Sequence, residues 1–107
     1  MTPNEYAQRV LHQYRKLPGT YGRILRTDRH LALELYHRGI RLGVVEDAFV
    51  LAMARLRLRP DPDSLEPIRS LHYLKPLIQE LLETPPPPGY LQYLRHKLDK
   101  VGIHLEV

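Results

Sequence analysis

The chain has 107 residues, a net charge of +4 and no cysteine. That length fits one domain with one core. The lack of cysteine excludes disulfides, thiol catalysis and cysteine-built zinc or iron–sulfur sites. No apolar run approaches the roughly 18 residues of a membrane span. The opening "MTPNEYAQRV" has no apolar stretch and does not read as a signal peptide, so a cytoplasmic protein is expected.

The first element is a helix from about Pro3 to Leu17. Thr2 can cap it, Pro3 suits the first helical position, and Glu5 completes a capping box. Tyr6, Ala7, Val10, Leu11, Tyr14 and Leu17 share one face at helical spacing. Pro18, Gly19 and Gly22 then mark a loop. A second helix starts at Thr27 or Asp28, buries Leu31, Ala32 and Leu35, and stops at Gly39, with Ile40 folding back as the hydrophobic partner.

A third helix is expected from about Gly43 to Leu58. Its stripe of Val44, Val45, Ala48, Phe49, Ala52 and Leu56 is widened by Leu51 and Met53, which makes it the most buried. The fourth is expected from Pro67. Ile68, Leu71, Leu74, Leu77, Ile78, Leu81 and Leu82 keep helical phase across Pro76, which predicts one helix kinked at that proline. Four prolines at 85–88 read as a stiff polyproline spacer. The last helix opens at Tyr90, with Leu91, Leu94, Leu98 and Val101 inward, and ends at Gly102. The expectation is an all-α, compact five-helix domain. Its core spans 1–83, the spacer 84–89, and a C-terminal helix and tail at 90–107 dock on the same domain.

Charge is uneven along the chain. Residues 1–59 carry eleven Arg/Lys against five Asp/Glu, and residues 60–107 carry five against seven. Lys16 is the only lysine of the first set, and arginine binds phosphate and carboxylate bidentately. Arg15, Lys16, Arg23, Arg26 and Arg29 gather around the first loop, with Tyr14 and Tyr21 interleaved. Such a cluster suits phosphate contacts, and a tyrosine can stack on an unpaired base. Solvated arginines and a core Tyr14 are the plain alternative. Arg55 and Arg59 share a face at the end of the third helix, while Arg57 points elsewhere. The second and third helices also read as a helix-turn-helix, but "GVVEDAFVLAMA" is too apolar and acidic to enter a groove.

Other chemistry is sparse. Six histidines at 12, 30, 37, 72, 96 and 104 form no HxxxH pair, so no metal is expected. "DPDSLE" lacks the central glycine of a calcium loop. Ser64 and Ser70 are the only serines, and neither has a base in register. No phosphate-cradling glycine motif occurs. A non-enzymatic protein without a cofactor is expected.

"RGIRLGVVEDAFVLAMARLRLRP", "LEPIRSLHYLKPLIQELL" and "PPPPGYLQYLRHKL" together resemble small helical proteins encoded in or beside bacterial mobile elements. A looser similarity, carried by Gly39, Ile40, Val44, Val45, Glu46, Ala48, Pro67, Ile68 and Tyr73, is to helical domains of plasmid and phage replication initiators, including DnaD-like domains. The tryptophan-rich ends of the DnaD type are not matched. The resemblance implies an accessory role in DNA transactions. Nucleic acid is then the expected partner, DNA ahead of RNA, contacted through Arg15, Lys16, Tyr21, Arg23, Arg26, Arg29, Arg55 and Arg59. The competing expectation is a protein–protein adaptor that dimerises through the third or fourth helix and uses its arginines for an acidic partner.

Overall fold

A cap sets the first helix. Thr2 Oγ1 accepts the Glu5 N–H at 3.1 Å and donates back to the Glu5 carboxylate, so α1 runs Pro3–Arg15. The computed structural model describes residues 1–58 and 68–105. Within them lie four more helices, α2 Arg26–His37, α3 Leu42–Arg57, α4 Lys75–Glu83 and α5 Tyr90–Lys100, and a 3₁₀ turn over Leu71–Leu74. The described residues contain no strand; Thr20 and Ile68 form an isolated parallel bridge. The expected face of α1 is buried in full, from Tyr6 to Leu17.

The start of α2 differs from expectation. Leu25, not Thr27 or Asp28, is the N-cap, and Leu25 offers no side-chain acceptor. Asp28 works from inside the first turn instead. Its carboxylate reaches back to the Leu25 N–H at 2.9 Å, which is the acid half of a capping box. The end of α2 follows the expectation. Gly39 sits at φ +76°, its N–H donates to Tyr36 O, and the Ile40 N–H donates to Leu35 O, the paired bonds of a Schellman stop. Ile40 is thereby turned into the core, where its carbonyl accepts the Tyr6 hydroxyl at 2.9 Å.

Helix α3 is the axis of the fold. Every residue from Ala48 to Ala54 is buried, and α1, the 3₁₀ turn, α4 and α5 all pack on it. Burying each large apolar side chain there contributes about 1.5–3 kcal/mol. The Ala48–Ala54 stretch is thus the centre of the core.

In place of one helix bent at Pro76, the chain is extended at Ile68–Ser70, makes the 3₁₀ turn, and only then enters α4. Ser70 caps the turn through its hydroxyl, which accepts the His72 N–H. The His72 carbonyl, which a kinked helix would orphan, takes the Lys75 N–H in a 3₁₀ bond. Pro76 falls in the first turn of α4, where a missing N–H costs nothing. Pro67, the expected helix start, lies outside the described residues. Helix α5 buries Leu94 and Leu98 against α3, but Tyr90 and Val101, expected inward, are exposed.

Burial pushes the Tyr6 hydroxyl up to about 12 from the usual 10.0, and burial with the Asp28 charge does the same at Tyr14. Unfolded tyrosines ionise near 10, so the folded state holds protons that the unfolded chain has lost. The stability tied to these protons is complete below pH 10 and is lost as pH climbs to about 12. The expected slope is roughly 1.4 kcal/mol per pH unit for each group. Urea titrations between neutral pH and pH 11 check this, and Tyr14→Phe should flatten the decline.

Candidate nucleic-acid interface

The first loop is fixed at its base. Leu17 is buried, the Gly19 carbonyl accepts the Ile68 N–H at 2.8 Å, and the Thr20 hydroxyl donates to Leu17 O at 3.0 Å. Gly19 has φ +86°, a conformation that disfavours any side chain. A Cβ at Gly19 would also stand 2.8 Å from an Arg57 guanidinium nitrogen, so Arg57 lies against this loop. From this base the chain presents Tyr21, 62% exposed, then Gly22 and Arg23.

Asp28 joins the loop's far end to the rest of the fold. It is fully buried, and besides Leu25 its second oxygen accepts the Leu71 N–H at 2.9 Å. One carboxylate therefore ties the start of α2 to the 3₁₀ turn. Hydrogen bonds to charged acceptors are the stronger kind, and a buried one left unmade costs the desolvation of both donors.

Arg15 from the last turn of α1 and Arg29 from the first turns of α2 converge on one cleft of about 190 Å³. Gln8, Leu11, His12 and Ile24 complete its lining. Lys16, Tyr21, Arg23 and Arg26 are exposed on the adjoining segment and do not line it. Among the described residues no side-chain hydrogen bond or ion pair engages Arg15, Lys16, Arg23, Arg26 or Arg29. Their charge is thus uncompensated by close contact, while Tyr14 is 1% exposed and belongs to the core.

The third-helix arginines divide differently from expectation. Arg55 faces α4 and pairs with Glu80 at 2.6 Å, with half of its side chain exposed. An exposed pair of this kind contributes about 0–1 kcal/mol. Arg57, expected to point elsewhere, is the one that reaches the basic loop. Arg59 lies outside the described residues. Sequence reasoning also missed His12, Leu11 and Ile24 as cleft residues; the helical offset from Leu11 to Arg15 was the available signal.

A second surface lies across α3, α4 and α5. Val44, Asp47, Leu81, Leu82 and the prolines at 85–88 line a groove of about 540 Å³. Leu82, Tyr90 and Tyr93 are exposed on the same two helices, α4 and α5. Burial raises the Asp47 carboxyl above its usual range, the Glu46 charge adds to this, and Arg95 opposes it. No group of three or more metal-ligating side chains occurs among the described residues, and no described helix is long and apolar enough to cross a membrane.

Neither a family model, nor a curated protein, nor a solved structure matches this chain.

Proposed function

We propose that the protein is a non-enzymatic, cytoplasmic nucleic-acid-binding or accessory protein, of the kind that serves a mobile element or a replication system. The single observation that carries this reading is the convergence of Arg15 and Arg29 on one cleft, beside three further basic side chains, with no acid paired to any of the five among the described residues. Guanidinium groups left unpaired at a fixed loop are placed to grip phosphates, and phosphate contacts position a protein without reading sequence. The prolines at 85–88 line the separate groove by α4 and α5, which shares no residue with the Arg15–Arg29 cleft. Arg55, already engaged by Glu80, contributes less than the loop arginines.

Fluorescence anisotropy with labelled DNA and RNA at two salt concentrations tests the reading. Each phosphate neutralised adds roughly 0.7–0.9 to the slope of log affinity against log salt. Four or five contacts should give a slope of about −3 to −4. No binding at low salt would overturn it.

The second reading is a protein–protein adaptor. The 540 Å³ groove, lined by residues of α3, α4 and α5, and exposed Leu82 favour it. Leu82→Glu should disrupt association in that case and leave nucleic-acid binding unchanged.

A further inference from the structure

The Arg15–Arg29 cleft has two chemistries in it. Its charged walls are arginines, while Leu11 and Ile24 give it an apolar lining. Leu11 is 5% exposed and Ile24 is half-buried, so this surface is already part of the core's edge. Phosphate alone needs no such surface. A nucleobase does, since its faces are apolar and its attached phosphates are anionic. At about 190 Å³ the cleft is below the 300–1,000 Å³ typical of whole-ligand pockets, so it accommodates one ring system and not a cofactor.

We propose that this cleft receives one unpaired base of a single-stranded nucleic acid, with Arg15 and Arg29 holding the flanking phosphates. The inference rests on the nucleic-acid reading above and deepens it by choosing single strands over duplex. A base inside a duplex shows only its edge in a groove, whereas an unpaired base exposes a face that apolar groups and guanidinium planes can cover. Tyr21, exposed on the loop that leads to Ile24, offers a stacking surface for a neighbouring base. Charge complementarity selects a nucleic acid for this cleft over a peptide, since Arg15 and Arg29 line it, three further basic side chains lie on the adjoining segment, and no acidic side chain is in its lining.

Three probes test this at low salt: a fluorescein-labelled 15-nucleotide thymidine strand, a duplex of equal length, and a strand with the same phosphates but abasic sugars. Phosphate contact alone favours the duplex, whose charge density is about twice that of one strand. Base insertion predicts the reverse, with the thymidine strand about tenfold tighter than both other probes. Ile24→Asp, with its fold checked by circular dichroism, should bring the ratio of intact to abasic affinity close to one. Equal affinity for intact and abasic strands, or tighter binding of duplex, would overturn the inference and leave phosphate binding standing. Failure of all three probes to bind would remove the nucleic-acid reading itself, and this inference with it.

Discussion

Replacing Arg15 and Arg29 together by glutamate should abolish nucleic-acid binding while leaving the fold intact. Both side chains are exposed, and neither makes a hydrogen bond or ion pair within the described residues, so nothing structural is lost with them. Each change reverses one charge, and the pair takes the net charge from +4 to about zero. Losing two phosphate contacts and adding two repulsions at one cleft should weaken binding by about a hundredfold or more at low salt. The salt slope should fall by about two units. Anisotropy titrations read both quantities. Arg38→Glu with Arg41→Glu, the same charge change at exposed positions around the α2–α3 turn, should cost far less. Equal losses for the two pairs would mean that net charge, not the cleft, drives binding.

The largest effect on stability is expected at Asp28. Asp28→Ala strips the acceptor from two backbone N–H groups, Leu25 and Leu71, at a fully buried position. Unpaired buried donors cost about 1–3 kcal/mol each, partly relieved by water at the helix start. A loss of about 3 kcal/mol follows, or roughly 15 °C in Tm for a domain of this size. Asp28→Asn keeps one acceptor and should fall between Asp28→Ala and the parent. Thermal unfolding followed by circular dichroism measures both. A change below about 0.5 kcal/mol for Asp28→Ala would show that the 3₁₀ turn is not held through this side chain.

Asp28 is adjacent to Arg29, so the bonds that anchor the start of α2 also fix one wall of the cleft. Asp28→Asn should therefore weaken nucleic-acid binding modestly even at temperatures where the protein stays folded.

Much of the helical framework was legible because it rests on local signals. Thr2 and Glu5 announce the start of α1, Gly39 and Ile40 announce the stop of α2, and the apolar breadth of α3 announces its enclosure. The α4 region was misread for a specific reason. A 3₁₀ turn repeats every three residues, so Leu71 and Leu74 mimic the spacing of an α-helix, and Pro76 looks like an interruption when it is a start. Asp28 was legible as belonging to the start of α2, but as its N-cap and not as the third residue that bonds back to Leu25, and its tie to Leu71 was not legible because 43 residues separate the partners.

The site was legible only as a cluster. Sequence places five basic residues within 15–29, but which of them share a cleft depends on how α1 meets α2 across a loop, and no local pattern encodes that. The arginines at 55, 57 and 59 show the same limit. Helical periodicity put Arg55 and Arg59 on one face, yet Glu80 on another helix captures Arg55 and a loop glycine receives Arg57.

The most direct measurement is an amide chemical-shift map of the ¹⁵N-labelled protein titrated with the thymidine strand. Shifts confined to residues 8–29, strongest near Leu11, Arg15, Ile24 and Arg29, are the predicted result. Shifts gathered on α4 and α5 around Leu82, Tyr90 and Tyr93, or none at saturating strand, would contradict the assignment of this cleft as the binding site.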